Sequence, residues 1–260
     1  MHADPQTLTT VIVVPCYNEA ERLDVDVFAK FAATRPWLTF VFVNDGSTDG
    51  TAGLIATTEQ RSPDQIRTVI LEENSGKAEA VRRGLLAAFE QGPDLAGFWD
   101  ADLATPLAEI DTFRQRFAGQ PELEIAIGSR VQMLGTHIER KAVRHYFGRV
   151  AATAVSMILG IPVYDTQCGA KLMRSTPRVR EIFAEPFVTR WAFDVEILAR
   201  WLVSRRAAPS VEASYGLVEI PLDKWIDVPG SKLRLADFVA APLALWRIYR
   251  EYGRALRQAK

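Results

Sequence analysis

Cysteine and histidine are scarce in this chain of 260 residues: Cys16 and Cys168, then His2, His137 and His145. They form no close His/Cys grouping, which argues against a zinc site. Met1 to Thr10 is polar and has no apolar core, so no secretory signal is read there. Free thiols in a reduced, cytoplasmic setting are the expectation. Neither sign of charge is in excess: 31 Lys and Arg face 32 Asp and Glu, a formal net charge of −1. Nucleic-acid binding by bulk charge is therefore not expected. Long hydrophobic runs are also missing. The longest, Val150 to Val163, is interrupted by Thr153, Ser156 and Gly160 and is too short to span a bilayer. No G-x-G-x-x-G follows the first predicted strand, and Gly76-Lys77 runs into Ala78, unlike a P-loop. Dehydrogenase and NTPase readings are weak for that reason. There is no internal repeat and no low-complexity tract.

What is present is a chain 48% hydrophobic and 24% charged, enough for one large α/β domain or a domain with an appended subdomain. Val11-Ile12-Val13-Val14 is a β-branched run of the kind found in strands covered on both faces. Further strands are predicted over Leu38 to Val43, Ile66 to Leu71, Leu95 to Trp99, Glu124 to Ser129 and Val218 to Leu222. Helical patterns alternate with the first five: Leu23 to Phe31, Thr51 to Glu59, Ala78 to Gln91 and Leu107 to Phe117. Alternation of this kind means βαβ units, a mainly parallel sheet and right-handed crossovers.

The loops with unusual chemistry all follow strands: Asn18-Glu19, Asp45, Lys77, Asp100 and Asp102. In an open α/β sheet they line up along the edge where ligands bind. Asp100-Ala101-Asp102 closes an apolar strand. Extended backbone would send the two acids to opposite faces; a turn at Asp100 would bring both into one cleft. Such a pair suits a hard cation, Mg²⁺ or Mn²⁺, arriving with substrate phosphates. The competing reading is a helix cap and a solvated turn, with Thr105 capping and Pro106 opening the helix.

Beyond Arg130 the character changes. Arg130, Arg140, Lys141, Arg144 and Arg149 crowd into twenty residues, and a helix is predicted from Ala142 to Leu159. That basic run reads as a solvated face, a phosphate clamp or an interfacial helix. Asp165 to Lys171 reads as a polar turn, and Asp194 precedes or caps a helix over Val195 to Leu202. A terminal helix, Leu235 to Ala255, contains Pro242, which predicts a kink.

Val14-Pro15-Cys16-Tyr17-Asn18-Glu19, Asn44-Asp45-Gly46-Ser47-Thr48-Asp49, Asn74-Ser75-Gly76-Lys77 and Asp100-Ala101-Asp102 resemble, in order, the motifs of family 2 inverting glycosyltransferases with the GT-A fold. Asp165 to Lys171, Arg190-Trp191-Ala192-Phe193-Asp194 and Val228-Pro229-Gly230-Ser231-Lys232 resemble the dolichyl-phosphate β-glucosyltransferases and their prokaryotic polyprenyl-phosphate relatives. The resemblance runs from about Thr9 to Leu235. It implies a Rossmann-like sheet with helices on both faces: residues 1–130 a nucleotide-sugar half, 131–260 an acceptor half with amphipathic helices, in one continuous domain. By the same resemblance Pro15, Tyr17, Asn18, Glu19 and Asp45 hold the nucleotide of a UDP-sugar. Lys77 lies near the base or the acids, Asp100 and Asp102 bind metal and diphosphate, and Arg130, Arg144 and Asp165 surround an acceptor phosphate. Two departures are visible. Ala104 stands where related mannosyltransferases often carry Gln, and the N-terminal membrane helix of the eukaryotic enzymes is not seen.

The implied reaction passes a sugar, glucose foremost, to a polyprenyl phosphate. A phosphate monoester has a second pKa of about 6 and needs no general base at neutral pH. A hydroxyl acceptor in a soluble enzyme is the alternative; it would need a base, with Asp165 or Asp194 the candidate. A nucleotidyltransferase would want a Gly-rich basic loop where Pro15 stands, and a carbohydrate-binding module would not need Asp100, Asp102 and Lys77 at strand ends. A lipid acceptor implies peripheral contact with the inner face of the cell membrane. Arg140 to Leu159, or the terminal helix with Trp246, Tyr249, Arg247 and Arg250, could supply it; either could instead pack on the sheet or on a partner in a homo-oligomer.

Overall fold

The computed structural model describes residues 4–134, 137–139, 142–206, 216–226 and 235–257. Four parallel strands come first: β1 (Thr10–Cys16), β2 (Leu38–Asp45), β3 (Ile66–Leu71) and β4 (Leu95–Trp99). They alternate with helices α1 (Val25–Ala33), α2 (Thr51–Arg61) and α3 (Lys77–Glu90). Next come α4 (Glu109–Gly119), β5 (Ile125–Ser129), β6 (His137–Glu139), α5 (Ala142–Leu159), β7 (Ala170–Arg174) and α6 (Pro177–Ile182). The chain ends with α7 (Phe193–Arg206), β8 (Leu217–Pro221), β9 (Lys224–Ile226) and α8 (Leu235–Arg257).

Seven strands form one sheet in the order β3-β2-β1-β4-β7-β5-β8, and β6 pairs with β9 in a separate two-stranded ladder. Strand alternation divides the core. Val11 and Val13 of β1 face a layer with Val81 and Leu85 of α3, Leu198 of α7 and Ile248 of α8. Ile12 and Val14 face the other layer, with Phe28 of α1, Ile55 of α2 and Phe113 of α4. The sheet is covered on both faces, as the β-branched run of β1 requires. Burying each such side chain fully contributes roughly 1.5–3 kcal/mol.

Two expectations change. Asp165 to Lys171 is not wholly a polar turn: its last two residues begin β7, which runs antiparallel between β4 and β5. Lys171 masked the strand in the sequence. A lysine at a strand centre is expected to face water, yet this one is fully buried. The helix after Asp102 begins at Glu109, with Ala108 as its N-cap, so Pro106 lies ahead of it. Three successive i→i+3 bonds, Glu109 N to Pro106 O, Ile110 N to Leu107 O and Asp111 N to Ala108 O, lead the chain into the helix. The terminal helix runs from Leu235 through Pro242.

Candidate active site

The carboxyl ends of β1 and β2 are tied by side chains bonded to backbone. Asn18, in the left-handed region at φ 49°, donates its N–H to Ser47 Oγ at 3.0 Å, and its Oδ1 accepts from Thr48 N at 2.9 Å. Glu19 N donates to Thr51 Oγ1 at 2.8 Å, and Asp49 accepts from Ala20 N at 3.1 Å. Pro15 and Tyr17 are half-buried beside this junction. The Glu19 carboxylate is met by Arg22 at 2.6 Å.

Asp45 is buried at the end of β2 and pins the next loop. Its Oδ1 accepts from Ser75 N at 2.7 Å, and its Oδ2 accepts from Gly76 N at 2.9 Å and Asn74 Nδ2 at 3.2 Å. Gly76, at φ 91°, turns the chain into α3 in a conformation that side chains oppose. Lys77 is thereby set at the first turn of α3, with its ammonium 2.5 Å from Asp100 Oδ1.

β4 ends at Trp99 and a turn follows, and the Lys77 ammonium feels both the Asp100 and the Asp102 charge. Asp102 Oδ1 accepts from Ala104 N at 3.1 Å. Burial, and then the nearby Asp100 charge, push the Asp102 carboxyl above its usual range; Ala104 N–H and Lys77 pull the other way. Two oxygen-bearing acids with more negative charge than Lys77 offsets match a hard divalent cation. Among the described residues no cluster of three or more His, Cys, Asp or Glu is placed to bind metal. A cation held by these two acids would need further ligands from outside the pair, such as water or a phosphate-bearing substrate.

Gly169 makes room for this pair. A Cβ there would lie 1.8 Å from Asp100 Oδ2, so only glycine lets the carboxylate settle against the backbone before β7. On that side of the crevice the charges are paired and buried. Asp165 accepts from Arg130 Nε at 2.6 Å, Nη2 at 2.7 Å and the backbone N at 3.1 Å. Burial works against the Arg130 charge, but Asp165 outweighs it and raises the guanidinium pKa; Asp100 adds to this. Glu219 of β8 accepts from the backbone N–H groups of Tyr164 at 2.8 Å and Asp165 at 2.7 Å, fixing the turn that carries Asp165. Lys171 Nζ is 2.5 Å from Asp194 Oδ1 and donates to Cys168 O at 2.7 Å.

The predicted residues therefore converge. Lys77 feels Asp100, Asp194 and Asp102, and Asp102 feels Glu19. Asp45 joins through the loop that it pins. Arg140, Lys141 and Val228 to Lys232 lie outside the described residues, as does the side chain of Arg144, whose backbone belongs to α5. Glu219 was missed as a supporting residue, while Gly169 and Lys171 were named only within the Asp165 to Lys171 motif, with no role given to either. The signal for Glu219 was a lone acid within the apolar Leu217-Val218-Glu219-Ile220.

The sequence profile of Glycosyl transferase family 2 matches residues 11–175. A dolichyl-phosphate β-glucosyltransferase of Drosophila melanogaster is 32% identical over 249 residues, covering 88% of this chain and 71% of that protein. One from Saccharomyces cerevisiae is 33% identical over 256 residues, covering 90% and 72%. Among solved structures, a mannosyltransferase from Pyrobaculum calidifontis in complex with GDP-Man and Mn²⁺ matches with a TM-score of 0.62 at 17% identity, over 97% of this chain and 66% of that one. The fold is GT-A, and the chain is a glycosyltransferase belonging to family 2.

Proposed function

We propose that the enzyme transfers glucose, with inversion, from UDP-glucose to a polyprenyl phosphate at a membrane surface. The names of its relatives favour this donor sugar and this class of acceptor. The observation that carries the reading is that the two candidate bases are already engaged. Asp165 gives both oxygens to Arg130, and Asp194 is held by the buried Lys171. A hydroxyl acceptor would have to be deprotonated by one of them, whereas a phosphate monoester, with a second pKa of about 6, arrives largely ionised.

Asp100 and Asp102 would hold Mg²⁺ or Mn²⁺, which when bound neutralises charge on the leaving diphosphate. The loops set by Asn18, Asp45 and Thr51 shape the nucleotide's seat beside Pro15, Tyr17 and Glu19. Arg130, with Nε and Nη2 clamped by Asp165, presents the remainder of its guanidinium to the acceptor phosphate, a geometry guanidinium matches well. Arg144 is proposed to join it. The acceptor oxygen then attacks the anomeric carbon from the side opposite the leaving UDP.

Among the described residues no helix is long and apolar enough to cross a membrane. Surface contact is assigned to α8, where Leu243, Trp246 and Tyr249 are exposed beside Arg247 and Arg250. The deciding experiment incubates the purified protein with a panel of nucleotide-sugars, Mg²⁺ or Mn²⁺, and either polyprenyl phosphate or soluble saccharides. A glucosylated polyprenyl phosphate formed from UDP-glucose is expected. Turnover confined to saccharide acceptors overturns the proposal.

A further inference from the structure

Lys77 stands where helix physics disfavours it. It is the first residue of α3, and the positive end of a helix repels a cation. Its partners account for the position. Its ammonium lies 2.5 Å from Asp100 Oδ1, and Asp100, Asp194 and Asp102 together outweigh the desolvation that opposes its charge. The Asp100 carboxylate also lies close against Gly169, where a Cβ would come within 1.8 Å of its Oδ2. One ammonium and one carboxylate thus meet beside the second acid of the pair.

We propose that Lys77 and the divalent cation compete for the Asp100 carboxylate. The proposal rests on the reading of Asp100 and Asp102 as the cation's ligands. A Mg²⁺ ligand oxygen sits about 2.1 Å from the ion, so an ammonium at hydrogen-bond distance from the same carboxylate would stand beside a second cation. Like charges that close oppose each other, and Lys77 must give up Asp100 for the ion to take it. Once released, the ammonium remains at the N-terminus of α3, where an anionic group of the nucleotide donor is the partner both positive charges favour. Lys77 is then a positioning residue that keeps the acids together before the cation arrives.

Mn²⁺ binding, followed by electron paramagnetic resonance without nucleotide or acceptor, tests this. Lys77→Met should bind Mn²⁺ up to about fivefold more tightly than the wild type, the upper range for a partly exposed ion pair. Lys77→Arg, which keeps the charge, should stay near the wild type. Asp102→Ala should lose binding in either background. Equal or weaker Mn²⁺ affinity in Lys77→Met, with binding still lost in Asp102→Ala, overturns the competition and leaves the metal site standing. Absence of Mn²⁺ binding in all variants, when the titration is repeated with UDP present, overturns the metal reading itself. Circular dichroism of Lys77→Met and Lys77→Arg should match the wild type, so that the comparison reports the site and not the fold.

Discussion

The two flanks of the crevice are held by different forces. On the β1–β3 flank, neutral side chains and two carboxylates bind backbone N–H groups: Asn18 with Thr48, Ser47 with Asn18, Asp49 with Ala20, Asp45 with Ser75 and Gly76. On the β5–β8 flank, full charges meet full charges under cover: Arg130 with Asp165, and Lys171 with Asp194. The first arrangement fixes loop shape and leaves a seat for a ligand. The second pairs Asp165 and Asp194 with its own cations, while Glu219 accepts from backbone N–H groups. Between them lie Asp100 and Asp102, a place where negative charge exceeds the positive charge that Lys77 brings to it. The largest effect on activity is expected there. Asp102→Ala should lower transfer by at least about a thousandfold, because metal stabilisation is worth several kcal/mol and each 1.36 kcal/mol is tenfold. The melting transition should hardly move, and wild-type activity should vanish in chelator and return with Mg²⁺ or Mn²⁺. Full turnover in chelator would break the assignment.

Stability should separate the flanks next. Lys171→Met leaves Asp194 buried without its partner and should cost roughly 3–5 kcal/mol in urea unfolding. Adding Asp194→Asn should recover part of that loss. The half-exposed pair of Arg35 with Asp111, 2.7 Å apart, should be worth less than about 1 kcal/mol when Arg35 is cut to Ala. Similar costs at the two sites would remove the distinction between covered and solvated pairs.

The β1–β3 flank was legible because its chemistry is local. Turn residues such as Asn44-Asp45-Gly46-Ser47 and Asn74-Ser75-Gly76 advertise their backbone conformation, and β-branched runs advertise covered strands. Strands β3 and β4 end where the apolar pattern ends. The other flank was legible only in part. Composition cannot say that Lys171 points inward, since the charge that pairs with it is Asp194, 23 positions away. Likewise Glu219 reads as an odd polar residue until the fold brings Tyr164 and Asp165 to it. The resemblance to the family named Asp165 and Asp194 as candidate residues, but their pairwise charge compensation by Arg130 and Lys171 needs the three-dimensional neighbours.

Surface binding is the next effect in size. Ala244, Ile248 and Leu256 of α8 are buried, so truncating the helix would damage the core. Substitution of its outer face is cleaner. Trp246→Ser with Arg247→Ser and Arg250→Ser should weaken sedimentation with anionic vesicles by about tenfold or more, each arginine near an anionic surface contributing about 1 kcal/mol. Salt should weaken wild-type binding, since screening acts within roughly 10 Å at 0.1 M. Wild-type protein that stays in the supernatant with anionic vesicles at low salt would remove the membrane from the account and favour a soluble acceptor.

Asp45 should give a smaller, binding-only effect. Asp45→Ala frees Ser75 N and Gly76 N, and with them the loop that leads to Lys77. Hydrogen bonds to a charged acceptor are worth about 1.5–3 kcal/mol, so UDP affinity should fall about tenfold. UDP and UDP-glucose should suffer alike in calorimetry if, as proposed, the disturbed loop serves the nucleotide and not the sugar. An unchanged UDP affinity would show that the loop keeps its shape without Asp45.

The smallest expected effect tests how the covered flank tolerates a lone carboxylate. Burial raises the Glu219 pKa, while the Asp165 and Tyr164 N–H bonds lower it, and the net direction is upward. In the folded protein Glu219 therefore holds a proton to higher pH than in the unfolded chain, where glutamate titrates near about 4.3. Stability falls with rising pH wherever the folded state binds more protons, so this group's contribution is full below that unfolded value and is lost as pH rises through the raised folded value. Glu219→Gln does not titrate. Its stability relative to the wild type should therefore climb as the pH is taken from about 4 to 7, with most of the change just above the ordinary glutamate range. Urea unfolding at half-unit pH steps measures it. A relative stability that falls over the same interval would mean that the two backbone N–H groups outweigh burial, and that Glu219 is held as firmly as Asp165 is by Arg130.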